Sequence, residues 1–465
     1  MKKSTQTVLA AGLAAFVLSA GARPKPSPML QERIKAGIEV YGLVHWGLNT
    51  FTCHEVGSGC DDPKWLNPDA FDADQIVGAC KDGGLQGLVI VAKHHDGFCL
   101  WPTKTTDYNI AKSPFRGGKG DYVKEMEQAC RRHGLKFGVY CSAWDRNNAD
   151  YGNPKYIETF RAQLAELLSG DYGELFMMWF DDARMSYGYY GGARTHRKVE
   201  SDYFQFDGTF RLVRKLQPKI CIFNGMDGAE IRCVGNERGE LDDNSSATIC
   251  SSTSADYVKY CNVGNLTTGS FFRQPECDLP LRMGWFYHEK EKHTVRCGEY
   301  LMQRYLNSVG NGATMDIGIA PDHHGRVAPE DIVALKRFNA LRKEFFANEV
   351  TTGPYNVVVL TEDVSEGEFV NSWKVSAAGQ AVVSGTAVGI KRIRVLKTPA
   401  DAAATTLDYT VLEGRKEDHP VRMRLFRVDQ KTLDGVMNAK TDIGHRDAIK
   451  MWCDDVRPPR RRRRK

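Results

Sequence analysis

The feature of this sequence that most restricts its fold is an alternation of short apolar runs with amphipathic helical stretches, beginning near residue 36. Runs rich in Val, Ile, Leu, Phe and Tyr predict strands covered on both faces, and the stretches between them carry apolar residues at helical spacing. This alternation is typical of a parallel sheet with crossover helices. The predicted strands are Ile38 to Trp46, Gly87 to His94, Lys136 to Ala143, Glu174 to Asp181, Lys219 to Asn224 and Thr314 to Pro321. The predicted helices are Asp72 to Lys81, Tyr122 to His133, Lys155 to Leu168, Tyr203 to Leu216, Cys297 to Val309 and Pro329 to Phe346.

The alternation stops near residue 348, where short strand-like runs without intervening helices begin. Six such runs are separated by Gly, Asp and Pro turns, a pattern typical of a β-sandwich. They are Tyr355 to Thr361, Glu368 to Val375, Ala381 to Val383, Ile390 to Val395, Leu407 to Leu412 and Met423 to Val428. We therefore predict an α/β fold with a TIM-like (β/α)-barrel over residues 23–348, a small β-sandwich over residues 349–455 and a basic tail at 456–465.

The amino-terminal end of the chain predicts export. Lys2 and Lys3 precede an apolar run from Val8 to Leu18 and the small residues Ala20-Gly21-Ala22, which is the order of a secretory signal peptide. We expect residues 1–22 to be removed and the protein to be periplasmic or secreted. No other stretch approaches the roughly 18 apolar residues that a membrane-spanning helix needs, so we expect no membrane span.

The formal charge of +5 does not indicate a nucleic-acid partner, because it comes from the last nine residues. The cations there are Arg457, Arg460 to Arg464 and Lys465, and subtracting these seven charges leaves −2. Such a run is most often a solvated chain end, and otherwise an electrostatic tether to an anionic surface. It does not identify a substrate.

The 13 cysteines raise the question of disulfides. Many of them lie inside apolar runs, as Cys141 and Cys221 do, where a free thiol packs as a small apolar group. Cys53 and Cys60 share one loop and are the predicted pair for a bridge. No Cys-x-x-Cys pair occurs, which argues against a structural zinc site.

Polar and aromatic side chains stand at the carboxyl ends of the predicted strands, where (β/α)-barrels build their active sites. The strand ends carry His45-Trp46, His94-His95-Asp96, Tyr140 with Trp144, Trp179-Phe180-Asp181-Asp182, and Asn224. A single His at a strand end is more often structural than catalytic, but five strand ends in succession favour a common site. Aromatic rings offer flat apolar faces, and His and Asn offer directional hydrogen bonds, which together suit a sugar.

Cleavage of a glycoside asks for two carboxyl groups, one ionised and one protonated. Asp181 is the predicted nucleophile, because it follows the apolar strand Met177 to Phe180 where the chain emerges at the pocket. The neighbouring Asp182 is expected to turn away from Asp181, since successive strand residues point to opposite faces.

These residues resemble the α-L-fucosidases of glycoside hydrolase family 29. The segment Ala92 to Pro102, followed by Thr105 to Asn109, is similar to the most distinctive signature of that family. Gly42 to Gly47, Trp179 to Asp181 and Met283 to His288 resemble its opening strand, its nucleophile strand and a later active-site loop. The resemblance spans roughly residues 36–346. It departs from the family at three positions, with Asp182 where Gly is usual, Met283 where Pro is usual and Cys233 where Trp is frequent.

The resemblance implies an exo-acting retaining α-L-fucosidase that needs no metal or organic cofactor and acts on a fucosylated oligosaccharide or glycoconjugate. It implies Asp181 as nucleophile. The residues it places against fucose are His45, His94, His95, Tyr140 and Trp285, with Trp65 and Trp101 as further candidates. For the general acid/base it leaves two residues open. Glu237 lies in a segment similar to that of the branch cleaving α-1,3- and α-1,4-linked fucose, and Glu276 is the rival.

Two other functions remain open at this point. The first is a metal-dependent hydrolase in which His45, His94, His95 and Asp181 surround an ion. The adjacent pair His94-His95 argues against it, since neighbouring strand residues should point to opposite faces. The second is a fucose-binding protein without catalysis, because a fold does not by itself fix a function.

Overall fold

The structure is a computed structural model that describes residues 23–181 and 183–440. Its first part is a closed barrel of eight parallel strands, in which each strand pairs with the next along the chain and the last pairs with the first. In chain order the strands are β1 (Val40–Val44), β2 (Gly87–Lys93), β3 (Lys136–Cys141), β4 (Met177–Trp179), β5 (Cys221–Phe223), β6 (Ile231–Cys233), β7 (Gln274–Pro280) and β8 (Thr314–Ile319). The barrel closes where Val40 of β1 pairs with Met315 of β8. The predicted TIM-like fold class is confirmed.

The strands are apolar on both faces because each face packs against a different layer. In β2, Leu88 and Ile90 belong to the core between the barrel and its outer helices. Val89 and Val91 belong to the core inside the barrel, together with Tyr140 of β3. Alternate residues of a strand point to opposite faces, and both layers exclude water, so the strand reads as one continuous apolar run.

Helices follow the barrel strands. The α-helices are α1 (Pro28–Lys35), α2 (Leu48–Thr52), α3 (Ala73–Asp82), α4 (Tyr122–His133), α5 (Pro154–Leu167), α6 (Phe206–Leu216), α7 (Tyr257–Tyr260), α8 (Gly298–Ser308), α9 (Pro329–Phe345) and α10 (Gln430–Met437). The carboxylate of Asp72 caps α3 by accepting from Gln75 N at 2.9 Å, and Asp121 caps α4 through Lys124 N at the same distance. Loss of such a cap costs about 0.5–2 kcal/mol, so these two residues fix where the helices begin.

Helix α1 covers the amino-terminal end of the barrel. Its Arg33 is buried, and the guanidinium lies 5.3 Å from the ring centroid of Tyr41 in β1 and 5.2 Å from that of Phe176, just before β4. The helix therefore places one positive charge at the end of the barrel opposite the predicted active site.

Two barrel strands, β6 and β7, were not among the sequence predictions. They occupy the interval between β5 and β8, where the sequence shows no long apolar run. The same interval contains a two-residue strand pair, Thr248–Ile249 with Phe271–Phe272, and an earlier loop contains another, Tyr187–Gly188 with Thr195–His196.

The carboxy-terminal part of the described chain forms two antiparallel sheets. The strands are β9 (Pro354–Glu362), β10 (Val370–Ala377), β11 (Gln380–Gly385), β12 (Arg392–Asp401), β13 (Thr405–Val411) and β14 (Val421–Phe426). The orders are β12-β9-β14 and β11-β10-β13. Val358, Trp373 and Leu425 belong to the apolar cluster shared by the two sheets, which is the arrangement of a small β-sandwich.

The β-sandwich is bonded to the barrel through buried charged side chains. The carboxylate of Glu368 accepts from the backbone N–H groups of Ala247 and Thr248, both at 3.1 Å. The guanidinium of Arg394 donates to Gly310 O at 3.1 Å and to Asn311 Oδ1 at 2.8 Å. These bonds join the sandwich to the loops around β7 and β8.

Several sequence predictions lie outside the described residues: the signal peptide at residues 1–22, the basic tail at 456–465 and the orientation of Asp182. The predicted Cys53–Cys60 bridge is wrong, because both thiols are free. Cys53 ends α2 in the left-handed conformation at φ 56°, and the Cys60 sulfur lies 3.3 Å from Ser58 Oγ instead. Within the described part of the chain, no helix has the length and apolar character to cross a bilayer.

Candidate active site

An aromatic wall stands at the carboxyl ends of the first barrel strands. The ring of His45, which follows β1, lies 4.9 Å from that of Trp285 and 5.6 Å from that of His94, which follows β2. His94 in turn stacks on Tyr140 of β3 with ring centroids 5.8 Å apart. Four of the residues predicted to contact the sugar therefore form one continuous surface.

Asp181 emerges from β4 beside this wall. Its Oδ2 accepts a hydrogen bond from Tyr140 Oη at 2.9 Å and lies 3.6 Å from His95 Nε2. Its Oδ1 accepts from Ala183 N at 2.7 Å. The side chain is still 27% exposed, so both carboxylate oxygens are oriented by donors while one side of the group remains open.

The imidazoles of His45 and His94 in the wall, and that of His95 beside Asp181, are kept neutral by burial. Removal from water lowers the pKa of His45 to about 3, and it lowers the pKa of His94 well below its usual range. Burial also lowers the pKa of His95, although the negative charge of Asp181 opposes the shift. At neutral pH these residues can therefore donate and accept hydrogen bonds without repelling a cationic transition state.

His94 and His95 do not point to opposite faces, contrary to the prediction from strand alternation. The strand ends at Lys93, so the alternation no longer applies, and the two ring centroids lie 4.1 Å apart. Among the described residues, however, the ligand atoms of His45, His94, His95 and Asp181 do not gather within reach of one ion. The predicted opposite orientation of His94 and His95 is wrong, and the spacing of the ligand atoms gives the metal-site hypothesis no support.

Asp181 and Glu237 line the same cavity, which has a volume of about 340 Å³. The other lining residues are Trp179, Phe223, Cys233, Gly235, Asn236, Arg238 and Asp278. They come from β4, from β5, from β6 and the loop after it, and from β7. The two predicted carboxyl groups are 56 residues apart in the chain, and they are brought together by β4 and β6, the two strands on either side of β5 in the barrel.

Glu237 lies on a tight loop that follows β6. Gly235 has φ 77° there, and a Cβ at this position would lie 3.1 Å from Cys261 Sγ, so glycine suits both the backbone and the space. The Asn236 side chain spans the loop, donating to Glu240 O at 3.1 Å and accepting from Arg238 N at 3.1 Å. The loop therefore holds Glu237 at the mouth of the cavity.

The carboxyl group of Glu237 is set up to hold a proton. Glu237 is exposed as a residue, while protein atoms crowd its carboxyl group and displace part of the surrounding water. This desolvation raises its pKa to about 7, with further contributions from the charges of Asp181 and Glu55 and an opposing hydrogen bond with Trp285. A carboxylic acid with this pKa can donate and recover a proton near neutral pH.

Glu276, the rival acid/base, lies inside the barrel on β7. It is fully buried, and its two carboxylate oxygens accept from Trp179 Nε1 at 2.9 Å and from Thr314 Oγ1 at 3.1 Å. It is not among the residues that line the cavity. Its position suits a structural role beneath the site.

Glu55 is a site residue that the sequence reasoning missed. Its carboxylate accepts from Trp285 N at 2.9 Å, from Phe286 N at 3.3 Å and from His288 Nε2 at 2.7 Å. A Cβ on Gly284 would lie 2.3 Å from Glu55 Oε1, so glycine there allows the close approach. Glu55 thus fixes the loop that carries Trp285. It lies in an irregular loop after α2, where no periodic pattern marks it.

We expect Glu55→Gln to destabilise the protein by about 1–3 kcal/mol, because the amide nitrogen must face a donor where a carboxylate oxygen accepted. The Glu55 charge raises the pKa of His288 to about 9. The stability that the folded protein gains from the pair of Glu55 and protonated His288 is fully present below the usual His pKa of about 6.5. It is lost as the pH rises through 9. The difference between wild type and variant in urea denaturation should therefore narrow above pH 9. Glu289→Gln, an exposed neighbour, is the control, and equal midpoints for both variants would contradict the assignment.

The residues predicted to contact fucose form the surface beside Asp181 but do not themselves line the cavity of Asp181 and Glu237; they are His45, His94, His95, Tyr140 and Trp285. Three further residues from the sequence predictions lie elsewhere. Trp65, on a short 3-10 helix, is 61% exposed and does not line the cavity. Trp101 is buried and donates from Nε1 to Glu166 Oε2 at 2.8 Å. Asn224 is buried and donates from Nδ2 to Phe180 O at 3.3 Å, which orients the strand end that carries Asp181.

Comparison with known proteins gives one consistent family. The family model described as Alpha-L-fucosidase matches residues 45–341. Alpha-L-fucosidase 1 of Arabidopsis thaliana is 35% identical over 313 residues, which cover 66% of this chain and 58% of the relative. Putative alpha-L-fucosidase 1 of Oryza sativa subsp. japonica is 35% identical over 338 residues, which cover 71% of this chain and 62% of the relative. The chain thus spans about three fifths of the length of these curated relatives.

Solved structures agree in fold. A glycoside hydrolase 29 family member from an unknown rumen bacterium superposes with a TM-score of 0.81 at 32% identity, covering 88% of this chain and 78% of that one. This match covers 88% of the chain, which is more than residues 45–341 of the family model, so it extends beyond the barrel.

Proposed function

The chain belongs to the α-L-fucosidase family, and on that premise we propose that it is an exo-acting retaining glycoside hydrolase that releases terminal L-fucose from glycans. The observation that carries the proposal is the pairing of Asp181 and Glu237 in one cavity. Asp181 is held by donors from Tyr140 and Ala183, whereas the pKa of Glu237 is raised to about 7. Two carboxyl groups in different environments are the requirement for retaining hydrolysis.

The proposed reaction has two displacements. The Asp181 carboxylate attacks the anomeric carbon while Glu237 gives its proton to the departing glycosidic oxygen, so that a C–O bond to Asp181 forms as the glycosidic bond breaks. Glu237, now ionised, then takes a proton from water, and the resulting hydroxide oxygen replaces Asp181 at the anomeric carbon. The configuration is retained, and Glu237 ends protonated again.

The aromatic wall is proposed to bind the fucose ring. His45, His94, His95 and Tyr140 offer neutral hydrogen-bonding groups for its hydroxyls, while the Trp285 indole offers an apolar face. Because burial lowers the pKa of the first two histidines, the wall adds no positive charge next to a transition state that itself carries developing positive charge.

We propose Glu237 as the acid/base because it shares the cavity with Asp181, while Glu276 is enclosed by Trp179 and Thr314. The segment Val234 to Glu237 is similar to that of the branch acting on α-1,3- and α-1,4-linked fucose, so we propose these linkages. We also propose that residues 1–22 direct export. The barrel, to about residue 348, is proposed to carry the catalytic residues, and the β-sandwich to stabilise the barrel.

The test is release of L-fucose from three substrates: an α-1,3/4-fucosylated trisaccharide, an α-1,2-fucosylated trisaccharide and an aryl α-L-fucoside. We expect release from the first and third and at least about tenfold less from the second, since linkage discrimination by a pocket is worth about 1–3 kcal/mol. Proton NMR of the first product formed should show the α-anomer. Preference for the α-1,2 substrate would overturn the proposed linkage. A β-anomer as first product would overturn the retaining mechanism, and fucose binding without release would overturn the assignment as an enzyme.

A further inference from the structure

The barrel interior beneath the cavity carries three carboxyl groups, Glu276 and Asp278 on β7 and Asp316 on β8. Their oxygens lie within 4.8 Å of one another, and all three residues are buried. Barrel interiors are usually filled by branched apolar side chains. Like charges this close in a water-excluded site cannot all be ionised, so the cluster must hold protons, and its surroundings decide where.

Glu276 is the member that is stabilised as a carboxylate. It accepts the two hydrogen bonds from Trp179 and Thr314 described above. The Arg33 guanidinium of α1 and the Tyr41 hydroxyl of β1 also face it, and both favour its charged form. Burial raises the pKa of Glu276. The hydrogen bonds to its carboxylate and the nearby Arg33 cation act in the opposite direction and lower it.

Asp316 interacts with both Arg33 and Glu276. Burial raises its pKa, the negative charge of Glu276 also disfavours its ionisation, and the positive charge of Arg33 favours it. One guanidinium therefore serves two carboxyl groups.

Asp278 has no such support. Burial raises its pKa well above the usual range, and Glu276 and Asp316 below it and Glu237 and Asp181 above it all raise it further. Its Oδ1 is buried without a hydrogen-bond partner. Yet Asp278 lines the cavity that Asp181 and Glu237 share. Among the three members of the cluster, it is the one that both faces the cavity and lacks a group that would stabilise its charge.

We propose that Asp278 keeps a proton and donates it in a hydrogen bond to a hydroxyl group of the sugar bound in the cavity. This rests on the proposed function, since it assigns a third pocket carboxyl to the same substrate. A neutral carboxylic acid suits this place, because it binds a sugar oxygen without adding a negative charge beside the nucleophile Asp181. The Arg33 charge and the hydrogen bonds at Glu276 favour the charged form there and have no counterpart at Asp278, so the proton stays on Asp278.

The test compares Asp278→Asn with Asp278→Ala. An amide is the neutral isostere of a protonated carboxyl and keeps a donor, although a weaker one, so the Asn variant should lose only about threefold in kcat/KM for the aryl α-L-fucoside and in affinity for L-fucose. The Ala variant should lose about 10- to 100-fold in both, as expected for a buried hydrogen bond left unmade. Thermal unfolding should leave the Asn variant close to wild type, because one neutral group replaces another of the same shape.

A set of 2-, 3- and 4-deoxy aryl α-L-fucosides identifies the hydroxyl group. With one of them the Ala substitution should cost nothing further, because the partner of Asp278 is already missing. The proposal is overturned if the Asn variant is as impaired as the Ala variant, which would mean that an ionised Asp278 is needed, or if the Ala variant equals wild type.

Failure of the proposed function is distinguishable from failure of this inference. If wild type binds L-fucose but hydrolyses nothing, the enzyme proposal falls, and the Kd values of the two variants still decide the role of Asp278. If wild type hydrolyses the aryl fucoside and the Ala variant does so equally well, the function stands and the Asp278 assignment falls. If wild type neither binds nor hydrolyses, both fall.

Discussion

Replacement of Asp181 by glycine should reduce kcat/KM for the aryl α-L-fucoside by at least about 10³-fold, because no other group can form the covalent intermediate. Sodium azide should restore turnover by entering the space left by the carboxylate and attacking from the same side. The product would then be β-L-fucosyl azide, with inverted configuration, which proton NMR distinguishes from free fucose.

Asp182→Gly is the matched control for this experiment, since it removes the adjacent carboxyl and introduces the residue usual in the family. It should keep kcat/KM within about threefold of wild type, because the bond from Tyr140 that orients the nucleophile is made to Asp181. If Asp181→Gly retained more than a tenth of the activity, or if Asp182→Gly were the inactive variant, the assignment of the nucleophile would be wrong.

Replacement of Glu237 by alanine should reduce release of fucose from the α-1,3/4-fucosylated trisaccharide by about 10²- to 10⁴-fold, which is the usual contribution of general acid catalysis. The loss should be much smaller for an aryl fucoside with an acidic leaving group, which departs without protonation. Azide should accelerate the variant by replacing water in the second displacement, and the product should be α-L-fucosyl azide.

The pH profile gives an independent measure of the same residue. Glu237 acts as an acid only while protonated, and its pKa is about 7. Wild-type kcat/KM for the trisaccharide should therefore fall as the pH rises through 7, and this limb should disappear in Glu237→Ala with the activated aryl substrate. If the fall in kcat/KM above pH 7 persisted in Glu237→Ala and disappeared in Glu276→Gln, the general acid/base would be Glu276.

The parts of the fold that could be predicted from sequence are those in which burial is apolar. Strand β2 was predicted as Gly87 to His94 and is observed as Gly87–Lys93, because both of its faces are covered and every residue from Gly87 to Ala92 is apolar. Strand β7, Gln274–Pro280, is equally buried but contains two prolines and two carboxyl groups. Its side chains are accommodated by partners such as Trp179 and Thr314 on other strands, which no local pattern reveals.

The positions of some site residues could also be predicted from sequence, whereas the orientations of their side chains could not. Residues directly after predicted strands, such as His45 and Asp181, could be placed at one face of the barrel because parallel strands end together. Their orientation could not be predicted beyond the last strand residue, as the adjacent rings of His94 and His95 show. Glu55 escaped notice because its role depends on a loop more than 200 residues later in the chain.

The bonds between Glu368 and the segment Ala247–Thr248 bear on how this protein can be recombined with its relatives. A foreign sandwich without this glutamate would bury the Ala247 N–H without an acceptor, which costs about 1–3 kcal/mol, whereas the Thr248 N–H would keep Ser246 Oγ at 3.0 Å. That segment lies between β6 and β7, in the same connection as the Glu237 loop, and β7 itself carries Asp278. A chimera that grafts a foreign sandwich onto this barrel should therefore be compatible only if the donor supplies a glutamate at the same point, and the barrel alone should not be a portable catalytic module.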